Sequence, residues 1–528
     1  MCFLLDGKLG SVGIMKALRM KPKYLFVACS LLFAGAGATW SEIPLSLADI
    51  FGDHMVLQRA QALPIWGTAE PEATVEVTFG DQQHRVQADA TGAWKVMLAP
   101  LKKEEKPQQL VLRSGEQTLE CNHVLVGEVW YSSGQSNMAM QMRACAKILP
   151  EAEQLLNEAD YPLIRYRAIK AKDQWEPQTA IGDGKGWTVC TPDEAGNYSA
   201  VSFVFARRLH LELGVPIGII ESAWGGHPIE PFIPREAFTG HPVLETIRTF
   251  GDRKDLEMLK ALTGGVFARN ESWLPGTIYN TRVAPVVPYG LRGVIWYQAE
   301  SNCGKEEDPR FYAEKMEALI RGWRAAWNKP TLPFYYVQLP QYDSPGWVPM
   351  RDEQRRAMQV PHTGMAVTID LALDQIHPAN KIDVGERLAL WPLKHEYGRE
   401  VVPSGPQYKS MAAKGSEVFV RFDALGGGLC TGKKKDLHPT EILPGKVVHG
   451  FELCNKAGDW FPAEARIMGN QVRCESAELS KPVAVRYAWA TVMPEGQPWN
   501  LYNRAGLPAS PFVSDAKWAP YNPFVDNP

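Results

Sequence analysis

Val124-Leu125-Val126-Gly127-Glu128-Val129-Trp130-Tyr131 is a strand-like run, and it leads within a few residues into Gly134-Gln135-Ser136-Asn137-Met138. A short apolar run that ends in small and polar residues predicts a buried strand followed by a turn. In α/β hydrolytic folds such a turn exposes a nucleophile, and Ser136 occupies that place. Backbone N–H groups of the turn can face the oxygen that becomes negative when an ester carbonyl is attacked. The pattern is not the Gly-x-Ser-x-Gly elbow, because Met138 stands where the second glycine would be, and this points to a different esterase architecture. An ordinary turn serine is the competing reading, and the rest of the chain has to decide between them.

Between about Asn122 and Arg399, strands alternate with amphipathic helices. The strand candidates are Val124 to Tyr131, Pro216 to Glu221, Gly293 to Gln298, Phe334 to Leu339 and Met365 to Asp370, with helices expected over Ala200 to Leu213, Phe311 to Trp327 and Val384 to Pro392. Alternation of this kind predicts an α/β domain with a mostly parallel sheet covered on both faces, its active site beyond the carboxyl ends of the strands. The flanks read differently. From Ile43 to Glu120, period-two runs such as Thr74 to Phe79 and Ala93 to Leu98 predict a small antiparallel sandwich. After about Val402 the β character returns, with Glu417 to Phe422 and Val483 to Trp489 as strands. The expected division is therefore a leader over 1–38, an N-terminal β-sandwich over 39–121, a catalytic domain over 122–400 and a C-terminal β-rich domain over 401–528. Gly426-Gly427-Gly428 lacks the lysine and Ser/Thr of a phosphate loop and reads as a turn.

A chain of 528 residues exceeds one hydrophobic core, and 45% hydrophobic with 22% charged residues fits a globular protein. A net charge of -3 offers nothing toward nucleic acid or an anionic membrane surface. The 17 tryptophans suit either stacking on sugar rings or filling β-rich cores. Lys16, Arg19, Lys21 and Lys23 precede the apolar run Tyr24 to Phe33 and the small residues Ala34 to Ala38. This order reads as a secretory signal peptide cleaved near Ala36 or Ala38, with Met20 as an alternative start, and it predicts a periplasmic or secreted protein. The apolar run is short for a membrane span. Cleavage leaves Cys121, Cys145, Cys190, Cys303, Cys430, Cys454 and Cys474, an odd set in which Cys454 with Cys474 and Cys145 with Cys190 could bridge, against a reading of most of them as buried unpaired thiols. None has zinc-site spacing.

Each strand candidate ends in a polar cluster, and four of these clusters have a chemical reading. The first delivers Ser136. The second, Glu221-Ser222-Ala223-Trp224-Gly225-Gly226-His227, has paired glycines that let backbone approach a ligand, making the Gly226 N–H a candidate oxyanion donor. The third, Trp296-Tyr297-Gln298-Ala299-Glu300-Ser301-Asn302, offers the side-chain amide of Gln298 or Asn302 as a neutral donor to the same oxygen. The last, Asp374-Gln375-Ile376-His377-Pro378, supplies a base. Histidine titrates in the useful range, and an acid three residues before it can orient its ring. Gln135, His227 and Glu300 are further candidates for substrate contact. No metal or organic cofactor is called for.

In this order the clusters resemble the SGNH hydrolases. Ile50 to Gln58, Val126 to Trp130, Gly134 to Met138, Gly293 to Gln298 and Ile376 to Pro378, with Asn500 to Asn503 and Gly506 to Phe512 near the end, resemble bacterial sialate O-acetylesterases and related carbohydrate acetylesterases. The resemblance implies an SGNH-type, flavodoxin-like three-layer domain with a parallel sheet, flanked by β-sandwich domains. It implies a serine esterase that removes acetyl groups from sugar hydroxyls, with Ser136 as nucleophile, His377 as base, and an oxyanion hole from the Ser136 and Gly226 backbones plus a side chain of the third cluster. A triad completed by Asp374 and a Ser-His dyad are both open. The family has glycine at the position of Ala299, and Gly-Gly-Thr where this chain has Gly225-Gly226-His227. The implied substrate is an acetylated carbohydrate, sialate first and hemicellulose (xylan or xyloglucan) as the alternative. A binding protein that has kept the fold but lost its chemistry is the reading from another class.

Overall fold

The computed structural model describes residues 43–263, 271–303, 309–344, 346–371 and 374–518. The expected signal peptide and residues 519–528 lie outside the described residues. Among the described residues no helix is long and apolar enough to cross a membrane.

The central sheet is built from β1 (Gln117–Gly134), β2 (Tyr161–Ala168), β3 (Thr188–Cys190), β4 (Ile217–Glu221), β5 (Gly293–Tyr297), β6 (Phe334–Val337) and β7 (Thr363–Ala366). Their order across the sheet is β3-β2-β4-β1-β5-β6-β7. All neighbours are parallel except β3, which runs antiparallel to β2 at the edge. Four of the five expected strands are present close to their expected places, whereas the fifth is shifted: the strand is Thr363–Ala366, sharing only Met365 and Ala366 with the expected run Met365 to Asp370. The β2–β3 edge is not among the expected strands, and Tyr161-Pro162-Leu163-Ile164-Arg165-Tyr166-Arg167 carries a proline and two arginines. Arg167 is nevertheless 1% exposed. Its guanidinium forks onto Asp183 at 2.8 and 3.1 Å, which removes the objection to burying it.

Four helices cover the sheet: α1 (Ala200–Leu213), α2 (Tyr312–Ala326), α3 (Trp347–Arg356) and α4 (Lys381–His395). Side chains alternate across a strand, so the adjacent Trp130 and Tyr131 of β1 serve opposite faces. The Trp130 ring lies 5.2 Å from Phe205 of α1, and the Tyr131 ring 5.3 Å from Trp323 of α2. The helices therefore sit on both sides of the sheet. α1 has the bounds its sequence announces: Ser199 caps it by accepting the Ser202 N–H, and Gly214 ends it in the left-handed region at φ 60°. Trp94, Trp130, Trp296, Trp323 and Trp347 are buried, so core filling accounts for much of the tryptophan content.

The N-terminal residues form the antiparallel strands expected of them, with burial alternating along Thr74–Phe79 and Ala93–Leu98. Residues 121–122 fall inside β1. Its first part pairs antiparallel with Glu104–Ser114, and its last part pairs parallel with β4 and β5. Gln58 and Glu128, from two of the quoted motifs, lock this junction. The Glu128 carboxylate accepts from Arg59 Nε at 2.5 Å, Arg292 Nε at 2.7 Å and Gln58 Nε2 at 2.9 Å. Burial opposes its charge, but the two arginines and Gln58 more than offset this and hold the carboxyl below its ordinary range.

The C-terminal residues form three antiparallel sheets of five, three and four strands. They reach the ends of the central sheet through Tyr502, whose hydroxyl donates to Asp370 beyond β7 at 3.1 Å, and through Ser510, whose Oγ accepts from Gln338 Nε2 beyond β6 at 2.9 Å. Neither candidate bridge forms, in keeping with the buried-thiol reading. Cys454 and Cys474 stand in different sheets, Cys145 lies on a helix and Cys190 on β3, all four as buried thiols.

Candidate active site

β1 delivers the serine through a glycine that nothing else can replace. Gly134 has φ 135°, and a Cβ there would lie 2.1 Å from the Tyr297 carbonyl oxygen of β5. This close approach lets Gln135 N–H donate to the same oxygen at 2.9 Å and turns the chain into the short helix Ser136–Ala139. Ser136 is half-buried at the carboxyl edge of the sheet. His377, exposed on the loop between β7 and α4, places Nε2 2.8 Å from Ser136 Oγ. Loss of water from the side of the imidazole packed against the protein, together with the Lys381 charge, holds its pKa below the ordinary value, so it stays neutral, and able to accept a proton, further into the acid range.

The glycine cluster closes over the same serine. Trp224 N–H donates to Gly134 O at 2.8 Å, and Gly225 sits so close that a Cβ would be 3.5 Å from Ser136 Cβ. Gly226 follows at φ 73°. Among the described residues no hydrogen bond engages the N–H of Ser136 or of Gly226. The turn is braced from below. Arg282 stacks 3.8 Å over the Trp224 ring and donates to the Ala223 carbonyl at 3.3 Å. Glu221, pushed up to about 7 by burial, accepts the Ala223 N–H at 2.8 Å. His227 is 7% exposed, between the rings of Trp224 and Trp273 at 5.0 and 5.3 Å, with Nδ1 3.0 Å from Gly225 O.

The third cluster lies beneath the serine as a closed hydrogen-bond network. Gln298 is fully buried. Its Nε2 donates to Asn302 Oδ1 at 2.8 Å and Gln135 Oε1 at 3.0 Å, while its Oε1 accepts from the Tyr312 hydroxyl at 2.7 Å. Asn302 Nδ2 donates to Glu230 at 3.0 Å, and Glu230 pairs with Lys315 at 2.7 Å. Both candidate side-chain donors are thus engaged inside the protein, as is Gln135, which is 2% exposed. Glu300 is 4% exposed and accepts from Asn137 rather than facing the surface. Ala299 takes φ 153°, a conformation glycine adopts freely and alanine does not.

Asp374 is on the His377 loop but does not touch the imidazole. Its Oδ1 accepts the Asp343 N–H at 2.9 Å, and among the described residues no hydrogen bond joins it to His377. Two residues to which the sequence reading gave no role lie closer to the chemistry. Asn137 and Lys381 are both fully buried and bonded to each other, Lys381 Nζ donating to Asn137 Oδ1 at 2.5 Å. One local signal marks Lys381: it is the first residue of α4, where a cation opposes the helix dipole and implies a specific partner.

A strand-end serine within hydrogen-bond reach of an imidazole is the arrangement of a hydrolase of the serine-esterase class. The family model for carbohydrate esterases described as sialic acid-specific acetylesterases matches residues 126–391, and the chain belongs to that family. It is a carbohydrate O-acetylesterase. Sialate O-acetylesterase from Rattus norvegicus is 29% identical over 547 residues, covering 92% of this chain and 97% of the relative. The Homo sapiens protein of that name is 29% identical over 525 residues, covering 89% and 93%. A carbohydrate acetylesterase from Xanthomonas citri superposes with a TM-score of 0.76 at 33% identity, covering 89% of this chain and 99% of its own.

Proposed function

We propose that the chain hydrolyses acetyl esters of sialic acids with Ser136 as nucleophile and His377 as general base. The observation that carries the site assignment is the 2.8 Å separation of His377 Nε2 from Ser136 Oγ at the carboxyl edge of the parallel sheet. With the imidazole proton on Nδ1, the hydroxyl donates to Nε2. Ser136 Oγ attacks the acetyl carbonyl as His377 takes its proton, and the oxygen that gains charge is met by the Ser136 and Gly226 N–H groups. Collapse breaks the bond to the sugar oxygen, which leaves with the proton from His377. Water, deprotonated by the same nitrogen, then releases acetate and restores Ser136.

The sialate assignment rests on the relatives, and the exposure of His377, Gly225 and Gly226 suits a glycan that docks from the surface. The sheet order and helix layers support an SGNH-type catalytic fold, and the basic-apolar-small order of residues 16–38 supports export to the periplasm or medium. Acetate release measured side by side from O-acetylated sialic acid and acetylated xylo-oligosaccharides tests the substrate. Faster turnover of the sialic acid is expected, and a preference for the xylo-oligosaccharide would overturn that part of the proposal.

A further inference from the structure

With Asp374 engaged by Asp343, the orientation of His377 must come from elsewhere. The two carbonyls that flank it in sequence are both held by side chains. Asn137 Nδ2 donates to Ile376 O at 2.8 Å, and Lys381 Nζ donates to Pro378 O at 2.7 Å. Those side chains are joined to each other through Asn137 Oδ1 and Lys381 Nζ, and the Glu300 carboxylate accepts from Asn137 Nδ2. One amide therefore bridges a buried carboxylate and a buried ammonium. Its orientation is fixed by chemistry: nitrogen toward Glu300 and the carbonyl, oxygen toward Lys381. Since Asn137 immediately follows Ser136, the same side chain ties the nucleophile's turn to the loop of the base.

We propose that Asn137 and Lys381 are the positioning residues of the catalytic base, registering His377 on Ser136 and setting the charge that its imidazole meets. This rests on the Ser136–His377 reading. Of the charged groups packed around the loop, Lys381 acts on His377, whereas Glu300 and the Cys145 thiol face Lys381 itself. Asp374 is turned to the Asp343 backbone. Burial pushes the Lys381 ammonium down to about 8, so it is charged throughout the acid range in which His377 titrates. A positive neighbour disfavours the imidazolium, so removing it raises the pKa of the base and shortens the active range on the acid side.

The test is the pH profile of kcat/KM on an acetyl chromogenic ester for the intact chain and its Lys381→Met, Lys381→Arg and Asn137→Ser variants. Lys381→Met is expected to move the acid limb up by roughly half to one pH unit. It is also expected to lower kcat about ten- to a hundredfold through misplacement of the base. Lys381→Arg keeps the charge and is expected to leave the acid limb in place while recovering part of kcat. Asn137→Ser is expected to lower kcat with the acid limb unmoved. If Lys381→Met does not fold, the arginine and serine variants decide, and wild-type kcat in both would overturn the proposal. An acid limb and kcat unchanged in a folded Lys381→Met would do the same. Ser136→Ala and His377→Ala separate the two levels. Turnover retained in either would overturn the site reading together with this proposal, whereas two inactive variants beside an unaffected Lys381→Met would overturn the proposal alone.

Discussion

The strand β1 carries two polar clusters, Glu128 within it and Ser136 just beyond its end, and they have opposite fates. Glu128 is fully buried, with Arg59, Arg292 and Gln58 on its two oxygens, and it joins the N-terminal strands to the central sheet. Ser136 is half-buried and faces an exposed histidine. Both belong to motifs that the family resemblance rests on. The difference teaches that a polar residue on a strand is structural where every hydrogen-bonding position is filled from inside the protein, and chemical where one is left open toward solvent.

Substitutions at the two places should separate activity from stability. His377→Ala is expected to lower kcat/KM by about a thousand- to ten-thousandfold while the thermal transition stays near that of the wild type, as measured by ester hydrolysis and calorimetry. Glu128→Gln should do the reverse. Leaving two arginines over a neutral amide is expected to cost about 3–5 kcal/mol in urea denaturation, with kcat of the folded fraction within about twofold of wild type. A large loss of kcat in folded Glu128→Gln would erase the distinction between the clusters. Asp374→Asn is expected to cost less than about tenfold in kcat/KM, because the carboxylate bonds Asp343 and not His377. A loss approaching that of His377→Ala would mean that Asp374 turns to the imidazole in the working enzyme. The smallest effect is expected at Ala299→Gly, where relief of φ 153° should raise stability by up to about 1 kcal/mol, read as a shift in the urea midpoint.

What was legible in the sequence followed from local rules. The five parallel strands announced themselves as apolar runs with polar ends, α1 by its serine cap and terminal glycine, and the serine, glycine and histidine clusters by their places at strand ends. What was hidden depended on partners far away along the chain. The β2 edge, for which the sequence reading named no strand, buries Arg167 only because Asp183 neutralises it. Gln298 and Asn302 have the right chemistry for oxyanion donors, but sequence does not reveal that Gln135, Tyr312 and Glu230 already engage them. Asn137 and Lys381 are 244 residues apart, and only the fold brings them together. The proximity of Asp374 to His377 in sequence suggested an acid-base pair that the loop geometry does not form.

The central claim is that Ser136 is the nucleophile. Intact-mass measurement after treatment with an organophosphonate ester tests it directly, because such a reagent captures a serine activated by a neighbouring base. The account predicts one adduct per wild-type chain, with loss of esterase activity in proportion, and no adduct on Ser136→Ala. An adduct of the same stoichiometry on Ser136→Ala would contradict it.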